Sequence, residues 1–331
     1  MTLLTVNNLN VNLQTASGPA RAVRDLNLTL EKGQTLGIVG ESGCGKSMTA
    51  LALMGLLPEN ATTEGSILLN GENLLEKSER ELCTIRGNRM AMIFQEPMTS
   101  LNPVHTVGRQ VMEPLRLHKR LSKAEAFEQA IRLLDRVGIP NPEERIYNYP
   151  HQLSGGQRQR VMIALALSCS PDILIADEPT TALDVTIQDQ ILELIQTLVA
   201  EEGMSLVLIS HDLGVIAENT EKVVVMYGGT VVESGSTEQI FSQLTHPYTQ
   251  GLFAAMPKLG LGRKGRLTTI PGTVPDLVNL PKGCTFTDRC PLATDICRNT
   301  PPPRSELGPH HQVLCHHLEQ AIEARSRELY T

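Results

Sequence analysis

The chain has 331 residues, with 36 acidic against 29 basic side chains, a net charge of −7 and no tryptophan. No run approaches the ~18 apolar residues of a membrane span, no basic stripe marks a nucleic-acid carrier, and aromatics at 3% are too few for base-stacking platforms. The N-terminus lacks a basic region followed by an apolar core, so no secretory leader is expected and the chain is read as cytosolic. Its seven cysteines are then expected to be reduced or metal-bound rather than paired.

Residues 2–14 and 22–30 read as strands. Val23, Leu26, Leu28 and Leu30 alternate in part, and Gly18-Pro19 supplies a turn. Residues 35–39 form a short apolar, β-branched run, the pattern of a buried strand; 48–56 are rich in Ala, Leu and Met, the pattern of a helix. Between them lies Gly40-Glu41-Ser42-Gly43-Cys44-Gly45-Lys46-Ser47, which fits G-x-x-x-x-G-K-[ST], the phosphate-binding loop. Strand, glycine loop and helix together set backbone N–H groups and a helix N-terminus around a triphosphate. That context separates the motif from a chance glycine-rich turn. Gly43 and Gly45 leave room for the backbone to close on the phosphates. Lys46 is expected to neutralise the β- and γ-phosphates and Ser47 to ligate Mg²⁺. The predicted nucleotide-binding segment runs from Gly40 through Met48.

Further along, 66–71 read as a strand closed by an Asn70-Gly71 turn, and 90–94 as a strand that delivers Gln95. Residues 107–117 and 123–137 are helical by pattern. Ser122 with Glu125 forms a capping box, and Gly138 with Pro140 ends the second helix. This region, about 97–153, reads as a helical insertion in an α/β core. The core resumes with Leu153-Ser154-Gly155-Gly156-Gln157 and a helix to Cys169, a strand at 173–176 ending in Asp177-Glu178, and a helix at 187–199. A strand at 206–209 then leads to Ser210-His211-Asp212, and a hairpin turns around Gly228-Gly229. Such alternation predicts a largely parallel sheet. From about 257 the composition changes. Eight of the 20 prolines fall between 271 and 309, which excludes a mostly helical tail; a helix is expected again from 317 to 328. The expected division is therefore 1–256 and 257–331.

An apolar strand ending in Asp177 is the expected second nucleotide element, its carboxylate holding Mg²⁺ directly or through water. Adjacent strand-end residues point different ways, which frees Glu178 to orient and deprotonate an attacking water. The pentapeptide at 153–157 then changes the class. Leu153-Ser154-Gly155-Gly156-Gln157, followed by Arg158-Gln159-Arg160, resembles the signature of the ATP-binding-cassette family. Gln95 matches that family's Q-loop glutamine, Asp177-Glu178-Pro179 its Walker B end, Ala182-Leu183-Asp184 its D-loop and His211 its switch histidine. The resemblance implies a P-loop ABC ATPase core with a helical subdomain. It also implies MgATP hydrolysis with Glu178 as base, Gln95 meeting Mg²⁺ or the attacking water, and His211 on the γ-phosphate. Ser154, Gly155, Gly156 and Gln157 are implied to cover the ATP of a second subunit in a head-to-tail sandwich, with Asp184 in the D-loop. Many relatives place an aromatic ring under the adenine; the matching position here is Leu13, which packs but does not stack.

Within the family the chain resembles the ATPase subunits of dipeptide, oligopeptide and nickel importers. The segments that carry this are 94–103 after the Q-loop glutamine, Tyr149-Pro150-His151-Gln152, His246-Pro247-Tyr248-Thr249-Gln250 and Ile270-Pro271-Gly272-Thr273-Val274-Pro275. This implies a bacterial importer with two membrane permease subunits, a second ABC ATPase (a paralogue or a second copy) and a separate substrate-binding protein. The chain is then peripheral on the cytoplasmic side of the inner membrane, with no nucleic-acid partner. Cys284, Cys290, Cys297 and Cys315 are spaced more widely than a zinc knuckle, so spacing leaves zinc, an iron–sulfur cluster and unligated structural thiols open. The resemblance implies a [4Fe–4S] cluster in a short, irregular, Cys-rich C-terminal extension. His310, His311, His316 and His317 lie near in sequence and read as a solvated polar segment, with replacement of a cysteine ligand by one of them as the alternative. Cargo stays open among peptides, nickel chelates, glutathione and peptide antibiotics. Two rival readings are a soluble cassette ATPase acting on nucleic acid or ribosomes and a non-hydrolysing regulatory subunit. The first usually carries paired cassettes or long coiled coils, which this chain lacks; intact Glu178, His211 and Ser154 argue against the second.

Overall fold

The computed structural model describes residues 1–181, 183–256 and 269–325. The first of the predicted strands, β1 (Thr2–Thr15), turns at Ala16-Ser17 into β2 (Gly18–Glu31), so the turn falls two residues before the Gly18-Pro19 pair. Gly18, at φ 122°, opens the returning strand instead of making the turn. β3 (Thr35–Val39), buried from Leu36 onward, runs into the phosphate loop and α1 (Lys46–Met54). β4 (Ala61–Leu69) and β5 (Glu72–Asn73) are joined by the expected Asn70-Gly71 turn, both residues at positive φ, which suits a two-residue hairpin. β4 begins five residues earlier than its apolar pattern suggests, because the stretch from Ala61 to Gly65 lies against β1 with exposed or half-exposed side chains and carries no alternation.

α2 (Glu79–Ile85) was not read from the sequence, although Ser78 and Glu81 form a complete capping box at its start. β6 (Met90–Ile93) is wholly buried, and the short α3 (Pro97–Ser100) follows. α4 (Val107–His118), α5 (Lys123–Arg136) and α6 (Pro142–Arg145) make up the helical region. Its two long helices lie where the periodicity places them, and the Ser122–Glu125 capping box is formed. Then come α7 (Gly155–Leu167), β7 (Ile173–Asp177), α8 (Val185–Glu202), β8 (Ser205–Ser210) and α9 (Leu213–Asn219). β9 (Lys222–Tyr227) and β10 (Thr230–Ser236) form the hairpin around Gly228-Gly229. α10 (Thr237–Gln243) and α11 (Pro247–Ala254) precede the extension. The extension holds α12 (Asp295–Asn299), a hairpin of β11 (Arg304–Gly308) and β12 (His311–Leu314), and α13 (Leu318–Arg325). The predicted boundary at 257, D-loop residue Ala182 and the predicted helix beyond 325 lie outside the described residues.

The chain divides into two compact units. One comprises residues 1–3, 30–34 and 76–208. Within it β8, β7 and β6 are sheet neighbours, and β6 pairs with β7 in parallel. α4 and α5 pack on each other and on α7. The other comprises 4–29, 35–75 and 209–331. Its strands run β5-β4-β1-β2-β10-β9-β3, with β12 beside β10 and β11 beside β12. The parallel β3–β9 pairing agrees with the alternation of strands and helices. The hairpins β4–β5, β9–β10 and β11–β12 are antiparallel, as short turns require, so the sheet is mixed rather than largely parallel.

Extension residues 269–325 belong to the second unit, and one buried carboxylate is among the groups that tie them to it. Glu233 on β10 accepts from Thr245 N (3.1 Å), His246 N (2.9 Å) and His311 Nε2 (3.0 Å), so β10, the start of α11 and β12 share one acceptor. Among the described residues no helix is long and apolar enough to cross a membrane.

Candidate nucleotide site and cysteine cavity

The phosphate loop is shaped by its glycines. Gly43 and Gly45 have φ of 81° and 101°, conformations that cost an L side chain strain. A Cβ on Gly45 would lie 2.3 Å from Ala22 O, so β2 leaves space there for hydrogen alone. Gly45 is the N-cap of α1 and brings no side chain to its first N–H groups, which leaves them for an anion. Lys46 is 4% exposed, and its Nζ donates to Gly40 O (2.7 Å) and Glu41 O (3.2 Å), which holds the ammonium over the loop. Ser47 follows half-buried, as does Met48, while Ser42 and Gly43 are exposed. Thr49 Oγ1 donates to Gly45 O (3.0 Å) and locks the first turn. The buried Cys44 thiol is pushed up in pKa by burial, which fits an inert packing residue.

Glu41, exposed to 29%, is more firmly held than a loop residue needs to be. Its N–H donates to Tyr248 Oη (2.8 Å), and its carboxylate meets Arg289 of the extension. Burial opposes the Arg289 charge, but the hydrogen bonds to Glu41 and Tyr227 outweigh it and hold the guanidinium above its ordinary pKa. Sequence reasoning missed Arg289. Also in this unit, His211 directly follows β8 and is exposed. A turn fixes its position: Asp212 N donates to Ser210 Oγ (3.0 Å), and the Asp212 carboxylate caps α9 through Gly214 N (2.7 Å). Leu13 sits half-buried near the end of β1, opposite Ala61.

The other unit carries Asp177 and Glu178, the two carboxylates expected to act at the nucleotide. Asp177 ends β7 and is 4% exposed. Glu178 turns out of the strand with φ 46°, a left-handed conformation that is uncommon for a non-glycine residue and sends its side chain away from that of Asp177. The parallel register pairs Ile93 with Ala176, so Gln95 and Glu178, each two residues further on, leave the sheet at the same level. Gln95 Nε2 donates to Glu178 Oε2 (3.2 Å), and Thr181 Oγ1 donates to the same oxygen (3.1 Å). The carboxylate is thereby aimed by two donors, as a general base requires.

Ser154 is the N-cap of α7, exposed with Gly155. Its Oγ accepts from Gln157 N (3.3 Å), and Gln157 Oε1 accepts from Ser154 N (3.1 Å). The capping box uses a lone pair of the hydroxyl and leaves its hydrogen to donate to an anion. A Cβ on Gly156 would stand 3.3 Å from Ile187, so α8 closes behind that glycine. Asp184 is the exposed N-cap residue of α8. In the same unit an open groove of about 1190 Å³ runs between α4 and α5, lined by Arg109, Met112, Glu113, Leu117, Phe127 and Tyr147 among others.

Cys284, Cys290, Cys297 and Cys315 line one small cavity of the second unit, with His246, His316 and His317 at its wall. All four are free thiols. Burial pushes Cys284 up to about 11 and Cys290 up to about 12, and it raises Cys315 as well. Cys284 N donates to Cys297 O (2.7 Å), which ties the first cysteine loop to α12. Among the described residues no three His, Cys, Asp or Glu side chains converge as a single metal ion would need. The four thiols thus surround a space without closing on one point. His311, read as solvated, is instead buried on Glu233.

Two family models match the chain: "ABC transporter" over residues 23–181 and "Oligopeptide/dipeptide transporter, C-terminal region" over 232–297. The oligopeptide transport ATP-binding protein OppD of Salmonella typhimurium is 54% identical over 300 residues, spanning 91% of this chain and 89% of that protein. Its Escherichia coli counterpart is 53% identical over the same length. A solved dimeric ATP-binding cassette in a post-hydrolysis state, bound to ADP and phosphate, is 29% identical with a TM-score of 0.64 and covers 71% of this chain and 99% of that one. Phosphate loop, aimed carboxylate and capped signature helix are the parts such a cassette needs, and with identity over nine-tenths of its length this chain belongs to the ATP-binding subunits of ABC transporters, in the oligopeptide and dipeptide branch.

Proposed function

We propose that the chain is the ATP-hydrolysing subunit that energises import of di- and oligopeptides, peripheral on the cytoplasmic face of a bacterial inner membrane. The observation that carries the catalytic part is the Glu178 carboxylate, fixed by Gln95 and Thr181 beside a buried Asp177. Peptide cargo follows from the oligopeptide relatives and from the C-terminal region model.

Lys46 and the loop N–H groups from Gly40 to Met48 bind the phosphates, and Ser47 and Asp177 serve Mg²⁺. Glu178 takes the proton of the attacking water, Gln95 reports Mg²⁺ occupancy to the helical region, and His211 donates to the γ-phosphate. Ser154, Gly155, Gly156 and Gln157 cover the nucleotide of a second ATPase subunit, and Asp184 faces that partner. Two ATP then favour the closed pair by their greater affinity for it, and hydrolysis releases it. The groove between α4 and α5 receives a cytoplasmic helix of a membrane permease, through which closure reaches the translocation path. The substrate-binding protein is coupled only through the two permeases.

We assign the four cysteines to a [4Fe–4S] cluster in preference to zinc, from the chemistry of four thiols around one cavity. Zinc–sulfur bonds of ~2.3 Å would draw four thiolates onto one point, whereas these thiols are spread around a cavity. Cys284, Cys290, Cys297 and Cys315 would hold it as thiolates, and bound there it would tie the extension's loops together. Iron and acid-labile sulfide, measured on anaerobically purified chain, test this; their loss in Cys290→Ser is the expected result.

The transport reading is tested by capturing a tagged copy from gently solubilised membranes. Two permease subunits and a second cassette ATPase are expected. Ribosomal or DNA-bound proteins in their place would overturn it.

A further inference from the structure

Arg289 precedes Cys290 in the extension, yet its side chain, 4% exposed, reaches the phosphate loop. Nη1 donates to Glu41 Oε2 (2.6 Å) and Nη2 to Glu41 Oε1 (3.1 Å), the two-pronged geometry that suits guanidinium and carboxylate. Its other donors are spent on Pro271 O (2.9 Å), Ile270 O (3.2 Å) and Tyr227 Oη (3.3 Å). Tyr227 of β9 packs against Tyr248 and Phe286, with ring centroids 4.6 and 5.0 Å away, and Tyr248 holds the Glu41 N–H. Glu41 is thus fixed at backbone and carboxylate together, by partners 207 and 248 residues away in sequence.

A carboxylate in the second position of a triphosphate-binding loop is an electrostatic liability. Left unpaired, it would repel the phosphates across a short, partly desolvated distance. Arg289 cancels that charge and prevents the Glu41 side chain from swinging into the phosphate path. We propose that Arg289 is a positioning residue of the nucleotide site, which holds the phosphate loop in its binding shape through Glu41 and makes the C-terminal extension part of the nucleotide machinery. The inference rests on reading Gly40–Met48 as the ATP site.

The test is a titration of purified full-length chain with fluorescent MANT-ATP and Mg²⁺, alongside kcat and KM for ATP. R289M is expected to bind about tenfold more weakly, the scale of losing a charge-assisted pair, with KM rising and kcat changing far less. R289K keeps the charge but not the fork and is expected to recover part of the loss. Adding E41Q to R289M removes the unpaired carboxylate and is expected to return affinity to within about threefold of wild type. Unchanged affinity in R289M overturns the inference, as does a double variant no better than R289M, which would make Arg289 a packing residue of the extension. If R289M does not fold, R289K decides: affinity equal to wild type overturns the inference. A wild-type chain that fails to bind MANT-ATP overturns the ATP site and this inference with it; binding by wild type with unchanged variants overturns this inference alone.

Discussion

Glu178 stands at φ 46°, where a non-glycine side chain is held only by its surroundings, among them Gln95 and Thr181. The divergence of Asp177 and Glu178 was legible from strand alternation alone. Their hydrogen-bond partners were not, because Gln95 is 83 residues away and only parallel pairing of β6 with β7 brings it level. Glu178→Gln keeps the shape and removes the proposed base. It is expected to bind MgATP as wild type does and to turn over roughly 10²-fold or more slowly, since general-base help is worth about 10²–10⁴; single-turnover hydrolysis with matched binding data checks this. Gly45→Ala drives a methyl toward Ala22 O at a positive φ, at a cost of roughly 2–4 kcal/mol. A lowered urea midpoint together with lost nucleotide binding is expected. Arg289 was missed for the reason Gln95's partner was: no local pattern links residues 248 apart.

Helix starts explain most of what the sequence revealed at the scale of elements, and most of what it hid. The capping box at Ser122 was visible and forms, whereas Ser154 was read only as part of the signature and proves to cap its helix as well. Ser78 with Glu81 gives the same signal, but α2 is too short for its apolar face to show a period. In the signature helix, the observed cap and the proposed anion contact fall on one side chain, Ser154, and substitution separates them. Ser154→Ala is expected to cost about 1 kcal/mol of stability through the lost cap. Ser154→Asp restores a good cap while placing negative charge where the partner's γ-phosphate belongs. Ser154→Asp is therefore expected to melt like wild type and to lose ATPase activity; a melting curve and an activity assay on one preparation read both.

Arg136 at the end of α5 bonds Glu201 and Glu202 at the end of α8 and holds the Glu202 carboxylate below its usual pKa. A carboxylate with a depressed folded-state pKa stabilises above its unfolded value and loses that contribution as pH falls through the folded one. Arg136→Met is expected to lower stability by at most about 1 kcal/mol near neutrality, because the pair is partly exposed. The difference from wild type should vanish in acid, as a pH series of thermal melts would show.

At the scale of the whole molecule, the α/β core and helical region followed from periodicity and turn residues, and the nucleotide chemistry from motif order. The extension did not. Its hairpin and its ring cluster are organised by contacts far apart in sequence: Glu233 with His311, and Phe286 with Tyr227 and Tyr248. Tyr227, Tyr248 and Phe286 are among the largest fully buried side chains, so much of the extension's packing runs through three rings that composition alone, at 3% aromatic, gave no reason to single out. From the same extension Arg289 reaches Glu41 of the phosphate loop. The most direct measurement of the central claim is uptake of an isotopically labelled mixture of di- to pentapeptides by cells whose only copy of this subunit is either wild type or Glu178→Gln. Uptake that falls to background with the variant, at equal protein levels, is the predicted result; uptake equal to wild type would contradict an ATPase that powers peptide import.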